Sequence, residues 1–216
     1  MSLVGKNRAV FSYKNQKLLN RNFLYKDFEK TKSYRTNFSN SKFGSTSFRA
    51  AHFKYCSFLN CSFADCDFIG TNFRGSYFST TTFENCIFSS VVFDQVKFKN
   101  TSFKNCYFFG SSAHIQALLS DMDGNTVLPA PPAQNTVSPA LKEVIDSLRT
   151  NDIIRRSHTL HGKDESINTA TLLMLHSIYT DEQLITLLPL IPQFITTQFY
   201  TISYLKMLLK KAAAVL

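Results

Sequence analysis

The chain has 216 residues, 44% of them hydrophobic, which suffices for a buried core in one domain or two. An aromatic share of 14% excludes wholesale disorder, and only 7 Gly and 6 Pro exclude a collagen-like or proline-rich fibre. The formal charge of +9 is local: residues 1–54 hold 12 basic and 2 acidic side chains, residues 55–114 hold 4 of each, and residues 115–216 hold 8 and 9. One end is electropositive, and the remainder is balanced.

The start of the chain lacks the apolar stretch and cleavage site of a secretory signal peptide, so the five Cys are expected to be reduced. Bacterial cytoplasm is the expected location, with export into a host cell by a route that reads no such signal as an option. Residues 1–20 are expected to form an N-terminal cap.

From residue 21 the sequence is governed by a period of five. Phe occupies every fifth position from Phe38 to Phe108, fifteen times without a break, and Phe23 and Phe28 share the frame with Ser33 as the single miss. Seventeen of the 21 Phe stand in this register. A helix would smear such a stripe around its axis and a plain strand alternates with period two, so the chain must turn a corner every five residues. Two residues before each Phe stands a small one, never larger than Val or Thr between Thr31 and Cys106. One large and one small side chain of every five therefore point inward, and the rest are mostly polar.

Stretches such as CSFLN, CSFAD, CDFIG and TNFRG resemble the pentapeptide-repeat family. The resemblance spans residues 21–110 and implies a right-handed quadrilateral β-helix, a β-solenoid with four pentapeptides per coil. Eighteen slots would give four and a half coils, a rod about 22 Å long at ~4.8 Å per coil. Solenoid ends are exposed edges that need covering.

A 20-residue coil assigns neighbours. Cys66, Cys86 and Cys106 fall in one column, with Cys56 and Cys61 at the same inward position on other faces. A metal or redox ladder is the sharper reading, and small apolar filler the plainer one, preferred because no His or carboxylate shares the inward positions. Asp65, Asn85 and Asn105 stack outside and are read as structural. Ile69, Ile87, Tyr107 and Phe109 form an outward apolar strip, expected to dock the following helices, with partner binding as the alternative. Lys32, Arg35, Lys54 and Arg74 gather with His52, Tyr34 and Tyr55 on another face, a mixture that binds nucleic acid or acidic protein surfaces unless it is simply a solvated charged face.

Residues 111–122 read as a short helix with Ile115, Leu118, Leu119 and Met122 on one side. A Pro-rich linker follows at residues 123–138, and a helical region at 139–216. Ser138 and Pro139 open a helix marked by Leu141, Val144, Ile145 and Leu148. A second starts near Asn168 with Leu172, Leu173, Leu175 and Ile178 apolar; Thr180 and Gln183 form the capping box of a third, which Pro189 and Pro192 end or kink. The last is expected from about 193 to 213. Residues 184–205 carry no charge, but the Pro, Gln and Thr among them favour a buried hairpin over a membrane span.

No nucleotide-binding, metalloprotease or nucleophile-elbow motif appears, and the one polar cluster, His158, His161, Asp164 and Glu165, is a weak metal signal better read as a loop. No enzyme activity, metal or cofactor is expected. Two groups with such repeats offer functions. Gyrase-protecting quinolone-resistance proteins resemble DNA through an acidic rod, which the basic start here opposes. Secreted bacterial effectors, some of them HECT-like ubiquitin ligases, place repeats before a helical region, and this order resembles theirs; their catalytic Cys lies far downstream, and no Cys follows Cys106 here. The reading is a non-catalytic scaffold with a protein partner, a host protein if it is an effector. Gyrase binding and membrane association are the alternatives, and nucleic acid is disfavoured.

Overall fold

A computed structural model describes residues 12–122, 124–162 and 165–216, which form two compact units divided between Val127 and Leu128. The first is a β-solenoid of short parallel strands, the second a small all-α unit.

Strands pair with a constant offset of 20 residues, so each coil takes four pentapeptides and the solenoid has four faces. The first face carries Ser12–Lys14, Lys32–Tyr34 and His52–Lys54, continued by single bridges through Asn72 to Val92. The second carries Ser57–Leu59, Tyr77–Ser79 and Lys97–Lys99. The third runs from Asn22–Leu24 through Lys42–Gly44, Ser62–Ala64 and Thr82–Glu84 to Ser102–Lys104. The fourth comprises Asp67–Ile69, Ile87–Ser89 and Tyr107–Phe109, and Thr126–Leu128 adds a further strand at its end.

The corners come from one residue in every five. Two positions after each inward slot the backbone enters the left-handed region, from Asn15 (φ 54°) to Asn105 (φ 52°) and Gly110 (φ 70°). Asn, Asp and Gly tolerate that conformation best, and they hold many of these corners, including Asp65, Asn85 and Asn105.

Inside, rings stack along the axis and meet edge to face around each coil. On the third face Phe43 and Phe63 lie 4.5 Å apart at 6°, and Phe63 and Phe83 4.7 Å apart at 8°. The small inward residues do more than save space. Ser, Thr and Cys donate across to the coil below: Thr71 Oγ1 to the Phe48 carbonyl at 2.8 Å, Ser76 Oγ to Phe53 at 2.6 Å and Cys61 Sγ to Phe38 at 3.2 Å. A buried carbonyl beside the strand ladder thereby gains a second partner.

The solenoid is longer than expected at its start. Ser12–Lys14 lies within the segment assigned to a cap, and it pairs in register with Lys32–Tyr34. Tyr13 and Leu18 occupy inward slots in place of Phe, so the frame runs from Tyr13 to Phe108 and makes five coils. The first eleven residues of the expected cap lie outside the described residues.

At the other end, α1 (Ala113–Leu119) buries Ile115 and Leu119 in the same core as Phe103 and Phe108, with Leu118 and Met122 against it. The expected linker is ordered at its start. Thr126 donates to the Cys106 carbonyl at 2.8 Å, and Asn125 accepts from Cys106 N (2.9 Å) and donates to the Phe103 carbonyl (3.0 Å), closing the last coil's edge.

In the helical unit, α2 (Pro139–Ser147) and α3 (Asp152–Ser157) precede α4 (Thr169–His176), α5 (Asp181–Leu187) and α6 (Ile202–Ala213). The capping box of Thr180 and Gln183 is present with both bonds, and Asn168 caps α4. The short α3 is not among the expected helices, although Asn151 caps it by accepting from Ile153 N and Ile154 N. Ser138 precedes α2 but its hydroxyl goes elsewhere, to Asp181 Oδ2 at 2.5 Å. Ile178 falls beyond α4 and is exposed, while Met174 is buried. The last helix begins nine residues later than expected: Leu188–Phe194 is a 3-10 segment containing Pro192, and an extended stretch follows. Among the described residues no helix is long and apolar enough to cross a membrane.

Candidate functional site

The seven residues expected on a basic face do share the first face. Strand register sets Lys32 against His52 and Tyr34 against Lys54 in two adjacent columns, and a bridge continues from His52 to Asn72 beside Arg74. Arg35 and Tyr55 occupy successive corners of one column, at φ 50° and 57°. The next corner is Gly75, at φ 68°, and a Cβ there would stand 2.5 Å from Tyr55 Cδ1 and Cε1. Glycine thus serves twice: it takes the left-handed turn, and it leaves a shelf for the Tyr55 ring. The Tyr55 ring meets Tyr34 edge to face at 5.5 Å and 77°, and the Arg35 guanidinium lies 5.2 Å from the Tyr34 ring centre. Both tyrosines remain well exposed, at 37% and 44%.

Two members change standing. Arg74 Nε is paired with Asp94 at 3.0 Å, so its charge is largely answered within the face. Lys14, one coil before Tyr34 in the Tyr34–Lys54 column, joins the group; a cap over the first twenty residues leaves it out, and Tyr13 in the inward slot is the signal that places it. Lys14, Lys32, Arg35 and Lys54 form no ion pair with another described residue. His52 is held below the usual imidazole range, by packing first and then by the charges of Lys54 and Lys32.

The apolar strip is on the fourth face, in two columns: Ile87 registers with Tyr107, and Ser89 lies between Ile69 and Phe109. Ile87 and Phe109 are buried, while Ile69 and Tyr107 are half-buried. The same face carries Asp27, Glu29 and Asp67 around Arg49, whose guanidinium is lowered by burial against the pull of Asp67, Glu29 and Asp27.

All five Cys are free and buried. Burial pushes the Cys56 thiol up to about 12 and Cys61 to about 11; Cys86 rises with burial, and Cys106 through the neighbouring Cys86 thiol and then burial. These four raised thiols are protonated at neutral pH and pack in the solenoid core. In the polar cluster, His161 is buried with Nε2 2.8 Å from the Ile145 carbonyl, and His158 ends α3 in the left-handed conformation. Asp164 lies outside the described residues. Among the described residues no group of His, Cys, Asp and Glu is placed to hold a metal ion.

A parallel solenoid with four pentapeptides per coil, a Phe core and a left-handed corner every fifth residue is a pentapeptide-repeat β-helix. The family model for pentapeptide repeats matches residues 34–68 and 46–85, with 8 copies. Among solved structures, the chain is similar to a pentapeptide repeat protein from the thylakoid lumen of Arabidopsis thaliana, at 16% identity over 52% of this chain and 79% of that one (TM-score 0.33). It is also similar to QnrB1, a plasmid-mediated fluoroquinolone resistance protein, at 16% identity over 55% and 68% (TM-score 0.27). A third is HetL, involved in heterocyst differentiation regulation in the cyanobacterium Nostoc sp. strain PCC 7120, at 8% identity over 58% and 86% (TM-score 0.27). No curated protein matches the sequence at a significant level.

Proposed function

We propose that the chain is a non-catalytic protein-interaction scaffold of the bacterial effector type, acting in a host cell after export from the bacterial cytoplasm, and that it meets an acidic protein through the first face of its solenoid. The observation that carries the binding surface is the cluster of Lys14, Lys32, Arg35 and Lys54, without acidic partners among the described residues, around two half-exposed tyrosines. Cations at such a surface steer an acidic partner, and Tyr and Arg supply the contacts that most often dominate binding energy. The effector assignment rests on the order of repeats, Pro-rich connection and helices.

The test is retention of a host-cell protein by the immobilised chain, compared with a variant in which Lys14, Lys32, Arg35 and Lys54 are all Glu. A partner held by the first and lost by the second, with unchanged circular dichroism, supports the reading. Equal retention by both contradicts it.

A further inference from the structure

Resting on that reading, we propose that the first face binds an extended acidic segment of polypeptide laid along the solenoid axis across the first three coils, and that His52 takes up a proton when the segment binds. The direction follows from where the cations stand. Within one coil the face offers two of them at most, Lys32 and Arg35, whereas along the axis Lys14, Lys32 or Arg35, and Lys54 succeed one another at ~4.8 Å per coil. A segment running around the coil would leave this face at once. On one side it would meet Lys30, already paired with Glu29 at 3.0 Å, and on the other the uncharged Asn37. An extended acidic run places successive same-side carboxylates ~6.8 Å apart, a spacing that flexible Lys and Arg stems on this rung can follow. Blocks of like charge are disordered by themselves, so an acidic tail is the form in which such a segment would arrive.

His52 sits inside this field. Lys32 and Asn72 are its register partners on either side, and Lys54 projects from the same side of its strand. The acidic group nearest along the face, Asp94, is engaged by Arg74. The imidazole is accordingly held uncharged at neutral pH, by packing first and by the two lysines next. Carboxylates laid over Lys32 and Lys54 reverse the field and favour the imidazolium. Binding and protonation then reinforce each other, and affinity must rise as pH falls through the imidazole range.

The experiment titrates the full chain with a fluorescent (Asp-Ser)6 peptide, whose alternation puts every carboxylate on one side when extended, at pH 7.8 and 5.8; (Asn-Ser)6 and a twelve-nucleotide oligothymidine serve as comparisons. The carboxylates stay ionised across this range. We expect binding about fivefold tighter at pH 5.8, a dependence that His52→Asn removes, and losses of about tenfold for Lys14→Glu and Lys54→Glu at either pH. A flat wild-type profile, or an undiminished slope in His52→Asn, overturns the proton linkage alone. Unchanged affinity in Lys14→Glu and Lys54→Glu overturns the axial path. Tighter binding of the oligothymidine at equal salt overturns the choice of polypeptide. Failure of (Asp-Ser)6 to bind at either pH overturns the segment, while the scaffold reading is judged separately by the retained host protein.

Discussion

At the scale of the residue, the repeat is a contract between two inward side chains and one corner. The Phe supplies the core, and the small residue two before it yields volume and, at many Ser, Thr and Cys positions, donates to a carbonyl 23 residues earlier, as Thr81 Oγ1 does to Phe58 at 2.5 Å. Thr81→Val keeps the shape and removes the donor, so it should cost about 1 kcal/mol in urea denaturation; no change would show the bond to be incidental. Ser33 is the opposite case. It fills an inward slot with a hydroxyl that is buried without a hydrogen-bond partner, as is that of Thr31 beside it. The missing ring is replaced from the neighbouring coils, because Tyr13 lies 6.1 Å from Phe38 and Phe53 5.5 Å from it, both also edge-on to Phe28. Ser33→Ala should therefore be neutral or stabilising by up to about 1 kcal/mol, and Ser33→Phe destabilising by about 1–3 kcal/mol through overpacking. Stabilisation by Ser33→Phe would show the slot to be empty instead.

At the scale of the element, legibility tracks how strictly geometry constrains side chains. Five-residue periodicity cannot be satisfied by helix or simple strand, so the solenoid and the faces carrying Lys32, His52 and Lys54 are readable directly. The first coil is not, because Tyr13 and Leu18 stand where Phe is expected, and Lys14 goes with it. The Arg74–Asp94 pair needs coordinates, since a 20-residue offset places the two in one column but does not say whether they touch. In the helical unit the cap at Thr180 is legible through its reciprocal partner Gln183, whereas the start of α6 depends on tertiary packing: Phe199 is buried in extended backbone and stacks on Tyr204 at 5.0 Å.

The helical unit also carries a titration that its own packing dictates. His161 is buried between α2 and the loop paired at Ile167, Nε2 meets the Ile145 carbonyl, and Nδ1 has no partner. Burial depresses its protonation, the Ile145 carbonyl and Asp146 oppose that, and Arg149 and Arg155 add to it. The folded state thus binds its proton less readily than the unfolded chain does. Its stabilising contribution is complete above pH ~6.5 and falls away as pH drops below the unfolded value. Urea midpoints for the helical transition should decline between pH 7 and 5, and His161→Gln should flatten that decline. An equal decline in the variant would place the titration elsewhere.

At the scale of the whole molecule, the charge of the sequence is concentrated in the early coils, on a surface made of parallel rungs. A solenoid suits this use because columns one coil apart are fixed by backbone pairing and not by loop conformation. The binding surface is therefore stiff, and its specificity lies in which residues occupy the outward columns. Whether the first face of coils one to three is the contact surface can be read by hydrogen-exchange footprinting of the full chain with and without the host partner retained in the pull-down. Added protection is expected at residues 12–15, 32–35 and 52–55 alone, with the later coils of that face and the helical unit unchanged. Protection on the fourth face around Ile69 and Tyr107, or on the helical unit, with none at those three strands, would contradict it.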